Sequence, residues 1–250
     1  MKPTTELPRL YDDLASWFHI LTAPEDYEEE AGFYHKTIID NCGFQPETLL
    51  ELGCGSGNNA SHLKHHFDMT LVDIAPEMLK VSQSLNPECE HLLGDMRDVR
   101  LGRTFDVVFI QDAIGYMTTE QDLRNAIQTA FIHCKPGGVS LFCPDHTREN
   151  FRPSTNHGGH DRTGRSLRYL DWTWDPDPND SSYISDMVYL LKEDDCVRCV
   201  YDRHLLGLFE RETWLRIISE TGFTAKAVPF EHSKIEPGSC ELFVGIKDHS

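Results

Sequence analysis

Through its first 145 residues the chain alternates short apolar runs with stretches whose apolar residues recur every three or four positions. The apolar runs predict strands at 48–52, 69–73, 89–93, 105–111 and 139–143. The amphipathic stretches between them predict helices over 57–67, 76–86 and 119–134. Two more helices are predicted ahead of the first strand, over 7–21 and 24–42. In the second, Tyr27, Ala31, Phe33, Tyr34, Ile38 and Ile39 recur at helical spacing, and Gly43 supplies a stop. Short apolar strands joined by helices make a parallel sheet covered on both faces.

The pattern changes after Pro144. Residues 145–164 are rich in Gly, His, Asn and Arg and predict a loop. Three segments of strand character follow, at 165–174, 183–192 and 197–208, with turns at 175–180 and 193–195. They predict an antiparallel sheet that interrupts the strand–helix alternation. A helix over 211–221, a Gly222 stop, and strands at 224–230 and 240–247 close the chain.

The first strand runs into Glu51-Leu52-Gly53-Cys54-Gly55-Ser56-Gly57, and the second ends on Asp73. Glycines at that point let the backbone turn sharply into a helix and approach a ligand closely. A carboxylate on the next strand tip can accept both hydroxyls of a ribose. The spacing is Gly-x-Gly-x-Gly, not the Gly-x-Gly-x-x-Gly of a loop that seats a pyrophosphate on a helix N-terminus. The third strand ends in Gly94-Asp95-Met96, which offers a carboxylate and an apolar side chain to a purine. Together these features predict a nucleoside cofactor.

In these residues the chain resembles the class I S-adenosylmethionine (SAM)-dependent methyltransferases. Glu51 to Gly57 match the family's first motif, Asp73 its ribose-binding acid, and Asp95-Met96 its adenine-binding pair. The resemblance implies an α/β fold: a Rossmann-like, seven-stranded methyltransferase sheet ending in a reversed hairpin. It also implies SAM as cofactor, with Glu51, Gly53, Cys54, Gly55, Gly57, Asp73, Ile74, Met78, Asp95, Met96, Gln111 and Tyr27 around it. The expected organisation is a helical lid over 5–44, a SAM-binding core over 45–145, an antiparallel cap over 146–209, and completion of the core over 210–248.

A closer resemblance is to the nucleotide-linked amino-sugar N,N-dimethyltransferases. It rests on Tyr11-Asp12, Asp26-Tyr27, Gly94 to Asp98, Leu101-Gly102-Arg103, Gly115-Tyr116-Met117, His204-Leu205 with Leu208-Phe209, and Leu242 to Gly245. It implies that Tyr11 and Tyr116 line an acceptor amine. The chain departs from that family at His157 to His160, at Tyr169 to Trp174, and at Asp112, which replaces a small residue.

Methyl transfer is an in-line displacement in which positioning supplies most of the acceleration. Candidates for that task belong on the loops at the C-terminal ends of the strands and on the cap. Asp112 could fix or deprotonate an acceptor, or simply cap the segment that follows it. Tyr116 could hydrogen-bond the acceptor, Tyr11 could fold over the cofactor, and His204, with Asp202 nearby, could act as a base at neutral pH. Tyr27 is a candidate of the same kind, or a core aromatic.

The net charge of −18 disfavours nucleic acid as a partner. Against that background, residues 146–170 hold five arginines and two acids. Arg165 and Arg168 could therefore read an anionic acceptor, or could be surface ion pairs. His146, His157 and His160 have spacing that allows a metal, but no carboxylate or cysteine pattern supports one. Cys196 and Cys199 form a single close pair with no second pair to complete a zinc site. No apolar run reaches membrane-span length, and Met1 to Glu6 lack the apolar core of a signal peptide. The chain is expected to be a cytoplasmic SAM-dependent methyltransferase acting on a small-molecule amine, without membrane or nucleic-acid partners, and compatible with a homodimer. An O-methyltransferase and a non-catalytic SAM-binding regulator are the alternatives.

Overall fold

A computed structural model describes residues 7–249. The expectations placed on Met1 to Glu6, a missing leader core and the start of the lid at residue 5, lie outside the described residues. The chain begins with 3-10 turns at Arg9–Tyr11 and Ala15–Trp17, helix α1 (Phe18–Leu21), a 3-10 turn at Pro24–Tyr27, and helix α2 (Glu28–Asn41). The single helix expected over 7–21 is therefore broken. Asp12 leaves helical geometry at φ −117° and ψ −103°. Asp12, Asp13 and Ser16 are also residues of low helix propensity, which weakens a helix there.

Strand and helix then alternate as the pattern predicts: β1 (Thr48–Leu52), α3 (Asn58–Leu63), β2 (Asp68–Asp73), α4 (Pro76–Leu85), β3 (Glu90–Leu93), β4 (Phe105–Gln111), α5 (Glu120–His133) and β5 (Cys134–Cys143). The strand expected at 139–143 starts five residues earlier. A register shift against Phe105 and Val107 absorbs Lys135-Pro136-Gly137-Gly138 into β5. The buried Asp106 carboxylate sits at that irregularity, accepting from the Glu47 and Thr48 N–H groups and from Lys135 Nζ.

The remaining elements are β6 (Ser154–Gly158), β7 (Asp161–Arg162), β8 (Arg165–Trp174), β9 (Ser182–Glu193), β10 (Cys196–Gly207), α6 (Arg211–Thr221), β11 (Thr224–Pro229) and β12 (Glu241–Ile246). The stretch 145–164, expected as a loop, carries β6 and β7. Its polar residues pair through the backbone along β8, in strands that are exposed almost throughout and so carry no apolar alternation to read.

Seven strands form one sheet in the order β11-β12-β5-β4-β1-β2-β3. β1 to β5 are parallel to one another, and β12 runs antiparallel against β5. α5 and α6 cover one face through Leu123, Ile127, Ile217 and Ile218. α2 and α3 cover the other through Tyr34, Ile38, Ala60 and Leu63. The second sheet is antiparallel, in the order β10-β9-β8-β6, with β7 beside β8. Strand alternation gives it two faces of different character. The inner face sends Leu167, Tyr189, Leu191 and Val200 against Leu10, Leu14, Trp17 and Ile20 of the N-terminal segment.

Candidate active site

Because β1 to β5 are parallel, their C-terminal ends lie along one edge, which gathers Gly53, Asp73, Asp95, Asp112 and Asp145 there. Gly53, Gly55 and Gly57 all take positive φ, at 77°, 52° and 77°. At Gly53 a Cβ would stand 2.4 Å from the Ala113 Cβ and 2.9 Å from Met96 Cε, so the loop after β4 and Met96 close directly over this backbone. The Asp73 carboxylate accepts from Gly55 N at 2.7 Å and from Ala75 N at 2.8 Å, which fixes it beside the glycine turn.

Three observations fit SAM to this edge. Glu51 is buried, and its Oε2 has no hydrogen-bond partner, so a cationic ammonium group would satisfy it. Burial, with Asp73 nearby, pushes the Glu51 carboxyl up to about 8. Ile74 is 48 % exposed immediately after Asp73, leaving an apolar side chain uncovered where a purine would lie. The Asp95 carboxylate is gripped by Arg97 Nε at 3.0 Å, which orients it without exhausting its acceptor sites. Cys54 and Met78 are buried; Met78 packs with Ala15 and Ala75 and stands under Gly55. Gln111 ends β4, directly before Asp112. Tyr27 closes the 3-10 turn before α2 and faces the cavity described below.

Tyr116, Tyr11 and His204 meet, although they come from the turn after β4, the first 3-10 turn, and β10. The Tyr116 hydroxyl lies 2.9 Å from the Tyr11 hydroxyl and 2.6 Å from His204 Nδ1. The Tyr11 ring stands edge-on to Tyr116 at 5.8 Å and to His204 at 5.7 Å. Burial raises both phenols well above their ordinary range, so both remain protonated at neutral pH.

Asp112 opens the turn after β4 with φ +20°, an angle that L-residues rarely adopt. Its side chain is deep in the molecule yet open to solvent, as is that of Asp145 at the end of β5; both therefore line a cleft. Desolvation in this cleft and repulsion from Asp145 lift Asp112 well above the carboxylate range, and desolvation lifts Asp145 as well. Glu30 of α2 joins them. It accepts from Asn59 Nδ2 at 2.9 Å, and burial pushes its carboxyl up to about 7 despite that bond.

Asp145 and Glu30 escaped sequence reading. Asp145 carried a usable signal, since it follows Pro144 directly at a strand end. Glu30 sits in a run of three glutamates that resembles a solvated helix face. A raised carboxyl stabilises the fold below its unfolded value and loses that contribution as pH rises through the folded one. Glu30→Gln is therefore expected to raise the melting temperature at pH 8 and leave it nearly unchanged at pH 4.5, as read by calorimetry.

A cavity of about 560 Å³ opens between the N-terminal segment and the second sheet. Tyr11, Phe18 and Tyr27 form one wall, and Tyr169, Asp171 and Met187 the other. Its basic side chains are Lys234 and His160, not the two arginines singled out by sequence. Arg168 projects from the outer face of β8 and pairs with exposed Asp161 at 2.9 Å. Arg165 stacks on Trp17 at 3.8 Å and pairs with Glu193 at the far end of the strand. Strand alternation sends Arg168 away from Tyr169, and distance along β8 removes Arg165 from Asp171.

The family described as a methyltransferase domain matches residues 49–138, from β1 into β5. A dTDP-3-amino-3,4,6-trideoxy-alpha-D-glucopyranose N,N-dimethyltransferase of Streptomyces venezuelae is 28 % identical over 207 residues, covering 81 % of this chain and 84 % of its own. A dTDP-3-amino-3,6-dideoxy-alpha-D-glucopyranose N,N-dimethyltransferase of Streptomyces fradiae is 25 % identical over 224 residues, covering 89 % and 85 %. Among solved structures, Streptomyces venezuelae DesVI superposes with a TM-score of 0.79 at 25 % identity, over 88 % of this chain and 92 % of its own. The sugar N-methyltransferase KedS8 of Streptoalloteichus sp ATCC 53650 shares the fold, with a TM-score of 0.80 at 23 % identity over 100 % and 97 %. No helix among the described residues is long and apolar enough to cross a membrane. With the glycine turn, the strand-tip acids and these likenesses together, the chain is a SAM-dependent methyltransferase, with a methyltransferase domain over 49–138, that resembles the amino-sugar N,N-dimethyltransferases.

Proposed function

We propose that the enzyme methylates an amine on a small, sugar-like acceptor held between the N-terminal segment and the inner face of the second sheet. The observation that carries this reading is the cavity walled by Tyr11, Phe18, Tyr27 and Asp171, with the strand-tip acids Asp112 and Asp145 close enough to Tyr11 to act on its hydroxyl. An amine reaches the enzyme as an ammonium ion, and carboxylates with aromatic walls favour a cation over a neutral alcohol. The two Streptomyces relatives are named for amino-sugar nucleotides, which supports the same class of acceptor.

Bound SAM supplies an electrophilic methyl on a sulfonium, and the electron pair of the broken carbon–sulfur bond stays on sulfur. The chain's own residues prepare the nucleophile. In this reading the ionised member of the Asp112–Asp145 pair takes the ammonium proton, which frees the nitrogen lone pair. Tyr11 and Tyr116 then hold the neutral nitrogen in line with the methyl, and closure of the N-terminal segment excludes water. The nitrogen gains the new carbon bond and leaves as a methylated ammonium ion. Residues 7–44 would serve as the lid and residues 146–209 as the cap of the expected organisation.

The test is turnover of dTDP-3-amino-3,6-dideoxy-alpha-D-glucopyranose against its 3-hydroxy counterpart. Methylation of the amine alone supports the reading. Preferential methylation of the hydroxyl compound would move the enzyme to the O-methyltransferase class.

The reading extends to assembly. Among the described residues, six of the ten exposed large apolar side chains, Leu170, Trp172, Leu190, Val197, Tyr201 and Leu205, lie on the outer face of β8, β9 and β10. Asp186, bonded to Arg203, Tyr201 and Trp174, leaves no net charge at the centre of that face. Such a face suits a second copy of itself in a two-fold dimer. Light scattering after gel filtration is expected to show a dimer that Trp172→Glu with Leu190→Glu converts to monomer. A wild-type monomer at micromolar concentration would remove this assignment.

A further inference from the structure

Asp202 lies on the inner face of β10, two residues before His204, and both are almost fully buried. Its Oδ1 accepts from Arg9 N at 3.1 Å. Its Oδ2 accepts from Leu10 N at 2.9 Å and stands 3.3 Å from His204 Nε2. One carboxylate thus holds the first turn of the chain, which carries Tyr11, and faces the imidazole that touches Tyr116, although at 3.3 Å His204 Nε2 falls outside hydrogen-bond geometry and has no other partner among the described residues. Burial alone would raise this carboxyl, yet the imidazole and the two N–H groups hold it below the usual carboxylate range.

The chemistry of each group along this line has one consistent arrangement for a neutral imidazole. An ionised carboxylate only accepts, so the imidazole proton belongs on Nε2, facing Asp202. Nδ1 is then bare and accepts the Tyr116 O–H at 2.6 Å. A phenol has one proton to give, and its hydroxyl rotates to suit its neighbours. With the Tyr116 proton engaged on His204, the 2.9 Å contact between the phenols must be made by the Tyr11 proton. The Tyr11 oxygen then offers only lone pairs to anything in the cavity. A donor in place of Asp202 would reverse every bond: imidazole to Tyr116, Tyr116 to Tyr11, and the Tyr11 proton pointing at the acceptor.

We propose that Asp202 is a positioning residue for methyl transfer: by holding the Tyr11 turn and fixing the His204 tautomer, it makes the Tyr11 oxygen a hydrogen-bond acceptor for an N–H of the substrate amine. An amine that gives one N–H to Tyr11 is held with its lone pair free to point elsewhere. A reversed relay would donate to that lone pair and block attack. The inference rests on the amine reading for its consequence, but the polarity of the relay stands without an acceptor.

Nitrogen-15 NMR of the imidazole in the wild-type enzyme saturated with S-adenosylhomocysteine reads the polarity directly. His204, assigned by loss of its signals in His204→Asn, is expected as the Nε2–H tautomer. An Nδ1–H tautomer there would overturn the proposal whatever the acceptor proves to be. In Asp202→Asn the side-chain oxygen can still accept a backbone N–H while the amide donates to the imidazole. That variant is expected to shift His204 to Nδ1–H, to lower kcat by 10-fold or more, and to leave the SAM Kd within about 3-fold. In a Tyr11→Phe background the same substitution is expected to cost little further, because the group through which it acts is gone. Full kcat in Asp202→Asn, or a loss as large in Tyr11→Phe as in wild type, would refute the relay. A retained Nε2–H tautomer with an acceptor that proves to be an alcohol would instead sink the amine reading and leave the relay standing.

Discussion

Gly53→Ala is expected to weaken SAM binding by 100-fold or more and to abolish turnover at ordinary cofactor concentrations. The residue takes φ +77°, and an L-side chain there costs about 1–2 kcal/mol. The larger effect is steric, because the new methyl would lie 2.4 Å from the Ala113 Cβ, which cannot rotate away. The turn carrying Ala113 also carries Asp112 and Tyr116, so displacing it moves both the cofactor wall and the acceptor groups. At 1.4 kcal/mol per factor of ten, strain plus displacement readily exceeds two decades in affinity. Gly102→Ala is the control. Gly102 has a similar φ of +68° but nothing within 4 Å, so that variant should lose about 1 kcal/mol of stability and keep its SAM affinity. Isothermal titration of both variants separates the two cases, and unchanged binding in Gly53→Ala would mean that the cofactor does not lie over this turn.

The second large effect is expected at the carboxyl pair. Asp112→Asn combined with Asp145→Asn should lower kcat/KM for the amine by about 10²-fold or more, the range for loss of a general base. Two amides cannot take the ammonium proton, and they attract a cation far less than an ionised pair does. The SAM Kd should stay within about 3-fold, since neither residue reaches the Asp73 end of the sheet edge. The pH profile carries the sign. Both carboxyls are raised by burial, so the wild-type enzyme should lose activity as pH falls and the pair takes up its second proton. The double variant should lose that limb and follow instead the free-amine fraction, its activity rising until pH passes the amine's own pKa. A limb unchanged in position in the amide variant would assign the proton transfer to another group.

The sequence was most legible where one local rule suffices. The β1 glycine turn, Asp73 and Asp95 are each set by position relative to a strand end, and a strand end can be read from a few neighbours. The antiparallel strands β8 to β10 were visible for the same reason, through alternation over ten or more residues. Other features depend on partners more than a hundred residues away, and no local pattern records them. Asp202 holds the N–H groups of Arg9 and Leu10 across the molecule, so the first turn is specified from β10 and not by its own propensity. That long-range anchor is also why a predicted continuous helix becomes short turns. The arginines misled because charge counted along a segment ignores strand alternation, which turns Arg168 outward from the cavity that Tyr169 faces.

The most direct test of the account is where a label from [methyl-13C]SAM ends up. With SAM binding established by titration, the enzyme would be incubated with the two dTDP-3-amino sugars for which its Streptomyces relatives are named, and the products examined by NMR. A labelled methyl is expected whose long-range coupling runs through nitrogen to the amine-bearing sugar carbon. A methyl on a hydroxyl oxygen, or SAM binding with no transfer to either amine, would contradict the amine reading.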